Sequence, residues 1–108
     1  MKKIWLDDVR PPPDNSWTWI KDGATANQIV QRFDVDEISF DHDLGDVFWN
    51  GYLIAKTIEH LAFNGMNKRI KWNVHSANPV GRANITAAMN NAEKFWAEHD
   101  IDAISDEI

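Results

Sequence analysis

Glu37-Ile38-Ser39-Phe40-Asp41-His42-Asp43-Leu44-Gly45 is the stretch that decides the fold of this chain. A short run rich in strand formers leads straight into two carboxylates flanking a histidine, and a glycine then turns the chain. In an open α/β sheet, such clusters sit beyond the carboxyl ends of the strands, where ligands bind. Two other stretches repeat the arrangement. Lys3-Ile4-Trp5-Leu6 ends at Asp7-Asp8-Val9-Arg10, and Arg69-Ile70-Lys71-Trp72-Asn73-Val74 ends at His75-Ser76-Ala77-Asn78-Pro79-Val80-Gly81-Arg82. Parallel strands carry their following loops to one edge. The sequence therefore predicts that Asp7, Asp8, Asp41, Asp43, His42, His75, Ser76, Asn78, Arg10 and Arg82 gather there.

The segments between these strands complete the pattern. Pro11-Pro12-Pro13 excludes helix and central strand, because proline fixes φ and lacks a donor. Trp17-Thr18-Trp19-Ile20 alternates and reads as an edge strand. Asp22 or Thr25 caps a first helix whose Ala26, Ile29, Val30 and Phe33 share a face. A second helix runs from about Gly51 to Asn64 with Tyr52, Leu53, Ala55, Ile58, Leu61 and Ala62 inward, and Gly65 suits its C′ position. The third runs from Gly81 to about His99, burying Ile85, Ala88, Met89, Ala92, Phe95 and Trp96. Ile101 to Ile108 reads as a short further edge strand through Ile101, Ala103 and Ile104. Strands alternating with helices predict a parallel sheet of four to five strands with right-handed crossovers, in one domain over 1–108.

Composition limits the function classes. With 108 residues, 44% hydrophobic and 26% charged, the chain is an ordinary globular domain. Six tryptophans predict a core with aromatic walls, and the absence of cysteine excludes disulfides and thiolate metal sites. No apolar run approaches the roughly 18 residues of a membrane span, and Lys2-Lys3 precede no signal-peptide h-region. A cytoplasmic protein without membrane attachment is expected. A net charge of −6 argues against extended nucleic-acid binding but leaves room for a small anionic ligand held by Arg10 and Arg82.

The clusters suggest phosphate chemistry. Two carboxylates about 4 Å apart repel by roughly 4 kcal/mol at an effective dielectric of 20, so the acidic group calls for a cation. Oxygen donors without thiolate favour Mg²⁺, Mn²⁺ or Ca²⁺ over structural zinc. Asp8 and Asp43 are as well suited to capping loops as to ligation. His42 and His75, on neighbouring loops, are expected to face each other as general acid and base, whereas His60 and His99 belong to helix surfaces. Ser76, Asn78 and Arg82 at a helix start make an anion cradle. A base is expected to stack on Trp5, Trp49 or another exposed aromatic.

Leu6-Asp7-Asp8-Val9-Arg10-Pro11-Pro12, Asp41-His42-Asp43-Leu44-Gly45 and His75-Ser76-Ala77-Asn78-Pro79-Val80-Gly81 resemble the cyclic-phosphate processing receiver-like family, a branch of the receiver superfamily. The resemblance runs from Lys3 to about Trp96. It implies a small flavodoxin-like, receiver-like α/β fold with helices on both faces, in which a proline loop replaces the first receiver helix. It further implies that Asp7 and Asp8 match the acidic metal-binding pair, Asp41 the phosphoacceptor and Ser76-Ala77 the Thr/Ser-Ala pair. The lysine that ends the fifth receiver strand has no counterpart, since no lysine follows His99. The expectation is therefore a metal-assisted phosphoesterase (a cyclic-phosphate phosphodiesterase) acting on a cyclic nucleotide or an RNA 2′,3′-cyclic phosphate end. In that reading Asp7, Asp8 and Asp41 hold the metal, His42, His75 and Asp41 do the chemistry, and Arg10, Ser76, Asn78 and Arg82 bind substrate. The alternatives are a non-catalytic cyclic-nucleotide-binding module, a phosphoacceptor receiver, and an interaction protein with a vestigial site. Oligomeric state is not legible.

Overall fold

The computed structural model describes residues 2–32 and 34–107, with side chains through His99. Four strands form one parallel sheet: β1 (Lys3–Leu6), β2 (Thr18–Ile20), β3 (Glu37–Phe40) and β4 (Lys71–Val74), in the order β2-β1-β3-β4. Three helices accompany them: α1 (Gly23–Arg32), α2 (Gly51–Phe63) and α3 (Pro79–Glu107). The fold is the expected small receiver-like α/β arrangement, and β2 is an edge strand as read. No helix among the described residues is long and apolar enough to cross a membrane.

Sheet alternation sorts the strands' side chains. Ile4, Leu6, Ile38 and Phe40 are fully buried on one face, in a core shared with Ala26, Val30, Ile54, Ile58, Ile85, Met89 and Trp96 of the three helices. The opposite face carries Trp5 and Ser39, and Trp17 from the proline loop packs edge-on against Trp5 at 5.7 Å. The helical layer is thus one-sided, which corrects the expected coverage of both faces. Right-handed crossovers explain it: β2–α1–β3 and β3–α2–β4 step the same way across the sheet, so both helices fall on one face. The β1-to-β2 connection steps the other way and crosses the second face as the proline loop.

Helix boundaries follow capping chemistry. Asp22 rather than Thr25 caps α1, accepting from the Thr25 amide at 2.8 Å. Asn50 caps α2 at the Leu53 amide, 3.0 Å. Gly65, at φ 65°, ends α2 with paired bonds from Gly65 N to Ala62 O and Met66 N to Leu61 O. α3 starts at Pro79, two residues before the expected Gly81, because Asn78 caps it and proline suits the first helical position. The tail read as an edge strand instead continues α3 through Glu107, while Phe33 and Ile108 lie outside the described residues. Of the six tryptophans only Trp5 and Trp96 are buried; the other four are half-buried, so the aromatic walls are mostly boundary.

Candidate functional site at the carboxyl edge

In-register pairing sets the three loops level. Leu6 pairs with Phe40 and Phe40 with Val74, so Asp7, Asp41 and His75 start one row beyond the strands. Backbone bonds extend the ladder into this row, from Asp41 N to Leu6 O at 2.8 Å and from His75 N to Phe40 O at 2.9 Å.

Asp7 is 2% exposed and fully engaged. Its Oδ1 accepts from the amides of Val9 at 2.9 Å and Arg10 at 2.7 Å, and its Oδ2 lies 3.0 Å from His75 Nε2. Burial pushes this carboxyl up, but the Arg10 and Val9 amides and the His75 contact outweigh it and hold it below the usual range. Asp41 goes the other way. Burial, followed by the charge of Asp7, raises its carboxyl above the usual value, and the Ser76 hydroxyl and the His42 amide offset this only in part. One oxygen from each of Asp7, Asp8 and Asp41 lies within 4.8 Å of the others. Gly45, at φ 64°, makes room for Asp8, whose Oδ2 would meet a Cβ there at 2.8 Å.

His75 does not project from the edge; its side chain is only 10% exposed. The ring lies flat on Trp5, with centroids 3.9 Å apart and planes 5° apart, and its Nδ1 is 2.8 Å from Ser39 Oγ. Burial lowers its pKa against the pull of Asp7 and Asp41. A neutral ring here donates Nε2–H to Asp7 and accepts the Ser39 hydroxyl at Nδ1. Ser39 was missed in the sequence reading. The available signal was a lone alcohol between two core residues, on the face that alternation shares with Trp5 and Asp41.

His42 is organised separately. Its Nδ1 is 3.0 Å from Asp43 Oδ1, and Asn78 Nδ2 approaches the same carboxylate at 3.3 Å. The two imidazoles therefore pair with different carboxylates. The remaining predicted residues brace the loop after β4. Ser76 hydrogen-bonds Asp41 and accepts from the Asn78 amide at 3.2 Å, and Asn78 Oδ1 caps α3 at Gly81 N, 3.0 Å. Arg10 reaches the His75 carbonyl at 3.3 Å and Arg82 the Ser76 carbonyl at 3.1 Å, which brings both guanidinium groups to the site.

The loop between β3 and α2 stands beside this group. An antiparallel bridge between Asp43 and Asn50 closes its base, and Asp46 Oδ1 accepts from the amides of Phe48 at 2.7 Å and Trp49 at 3.1 Å. At its tip Val47 is fully exposed and Phe48 is 66% exposed. Trp5, by contrast, is 8% exposed beneath His75 and is removed as a stacking platform for a base.

A family model for the cyclic-phosphate processing receiver domain matches residues 2–91, which include every edge residue described above. The chain belongs to that family. No curated protein and no solved structure matches it significantly. In this cyclic-phosphate processing receiver domain, acidic residues stand level at the ends of β1 and β3. The donors at this row suit a hard divalent cation. Asp7, Asp8 and Asp41 offer carboxylate oxygens within 4.8 Å of one another, and burial followed by the charge of Asp7 raises the Asp41 carboxyl.

Proposed function

We propose that this receiver domain is a metal-assisted phosphoesterase that opens a cyclic phosphate of a nucleotide or of an RNA end. The observation carrying the proposal is the Asp7, Asp8 and Asp41 oxygen cluster within 4.8 Å, set beside two arginines and two carboxylate-paired histidines. Asp7, Asp8 and Asp41 would hold Mg²⁺ or Mn²⁺, which supplies Lewis-acid polarisation of a phosphoryl oxygen when bound. Arg10 and Arg82 compensate the charge that develops on the phosphorus oxygens, and the start of α3 adds the favourable end of its dipole. In hydrolysis, water attacks phosphorus, one ring P–O bond breaks, the water's proton passes to a base, and the freed sugar oxygen gains a proton. An imidazole at the edge performs that exchange.

The substrate class is a small cyclic nucleotide or an RNA 2′,3′-cyclic phosphate end. Phe48 offers the exposed ring on which a base can stack. The acidic chain does not track a long nucleic acid. We further propose a cytoplasmic location.

Phosphorus NMR with 2′,3′- and 3′,5′-cyclic nucleotides, in Mg²⁺, Mn²⁺ or EDTA, tests this reading. A ring-opened monoester that forms only with metal is the expected result. Metal-dependent line broadening without product would replace the hydrolase with a sequestering module. Neither signal would leave a receiver phosphorylated on Asp41, to be checked with acetyl phosphate.

A further inference from the structure

We infer that Ser39, His75 and Trp5 form a buried relay that positions Asp7 for the cation, and that proton exchange falls to His42. The inference rests on the phosphoesterase reading and divides the labour of its two histidines.

Ser39 begins the relay. It is 1% exposed in the middle of β3, between Ile38 and Phe40, where an unpaired hydroxyl would be costly. Its partner is His75 Nδ1 at 2.8 Å, and the other nitrogen of the same ring reaches Asp7 at 3.0 Å. Trp5 closes one face of the imidazole, and its own Nε1 is fixed on the Arg10 carbonyl at 2.8 Å. Every polar atom of the His75 ring is therefore committed to the protein. To take a proton from water it would first have to break a buried bond.

The arrangement suits a different task. Asp7 is locked at Oδ1 by two amides and at Oδ2 by the imidazole, so its orientation is set before a cation arrives. Oδ1 spends both of its lone pairs on those amides, whereas Oδ2, with one bond from His75, keeps its second for a metal. Hydrogen-bonded partners of ligating carboxylates orient them in this way, and their loss weakens metal binding or activity by about 10–100-fold.

His42 has what His75 lacks. Its Nδ1 is oriented by Asp43, and among the described residues its Nε2 has no protein partner. It follows Asp41 directly and is backed by Gly81 at the start of α3.

Isothermal titration of the full chain with Mg²⁺ alone, beside turnover of a 2′,3′-cyclic nucleotide, separates the roles. Ser39→Ala removes one buried oxygen with little change of shape and should raise the Mg²⁺ dissociation constant about 10–100-fold, with turnover returning at saturating Mg²⁺. His75→Gln, which keeps an N–H for Asp7, should bind Mg²⁺ better than His75→Ala. His42→Ala should keep native Mg²⁺ affinity and lose turnover at every Mg²⁺ concentration. Unchanged Mg²⁺ affinity in Ser39→Ala, or abolished turnover of His75→Ala at saturation, overturns the inference. ¹⁵N NMR of the unmutated protein checks it independently of any variant: His75 should carry its proton on Nε2 with Nδ1 bare, and the other tautomer sinks the relay. Mg²⁺ binding that Ser39→Ala weakens, with no cyclic nucleotide turned over, removes the phosphoesterase reading and keeps the relay. No binding of Mg²⁺ or Mn²⁺ by the unmutated chain removes both.

Discussion

Gly81 backs directly onto the ring of His42: a Cβ at this position would lie 2.3 Å from the imidazole Cγ. Replacing a helical glycine with alanine ordinarily stabilises by about 0.5–1 kcal/mol. Gly81→Ala should do the opposite, because the methyl must displace the ring or the first turn of α3. Displacing a catalytic group by 1 Å costs about 10²-fold, so turnover should fall by that order while the melting temperature drops. A higher melting temperature with full turnover would show that the ring has room.

Asp41 carries a carboxyl raised by burial and by the charge of Asp7. Its ionised form is thus less favourable in the folded state than in the unfolded chain. The cost is absent below the unfolded carboxylate value of about 3.9 and complete above the raised folded value. Asp41→Asn should therefore melt higher than the parent at pH 7 in EDTA, and the gain should vanish as the pH falls through the folded value. Mg²⁺ should stabilise the parent more than the variant. Melting curves in EDTA and in Mg²⁺ across pH check both parts.

Asp7 has the opposite sign. Burial raises its carboxyl, but the amides of Arg10 and Val9 and the His75 contact win, so the folded value is depressed. Its stabilisation is complete above about pH 3.9 and is lost as the pH falls through the lower folded value. Asp7→Ala strands the donors of Val9, Arg10 and His75 and should destabilise by about 1–3 kcal/mol at pH 7. Urea unfolding at pH 7 and pH 3 would show that difference narrowing in acid.

Phe48 extends from a loop whose base is tied to the site through Asp43. Phe48→Ala should leave stability within about 0.5 kcal/mol, as exposed substitutions do. It should raise KM for a cyclic nucleotide by about 1–3 kcal/mol of lost stacking. A small diester without a base should be turned over at the parental rate. Equal effects on both substrates would place the base elsewhere.

Much of the site was legible because the sequence signals were local. A short apolar run followed at once by polar residues marks a strand end, and the three level ends at Leu6, Phe40 and Val74 place Asp7, Asp41 and His75 in one row. Gly65 likewise fixed the end of α2 by backbone geometry alone. The start of α3 lies two residues before the expected Gly81, because Asn78 and Pro79 serve as cap and first helical position.

The sequence by itself determined the four strands of the sheet, the parallel class and the identity of the edge residues, though not the helical tail, because period-2 and period-3.6 patterns and capping act over a few neighbours. Only the tertiary structure decided which face the helices cover, that His75 folds back onto Trp5, and that Ser39 completes its bonding. Those outcomes depend on crossover direction and on contacts between β1, β3 and the loop after β4, which are distant in the chain and meet only when the sheet assembles.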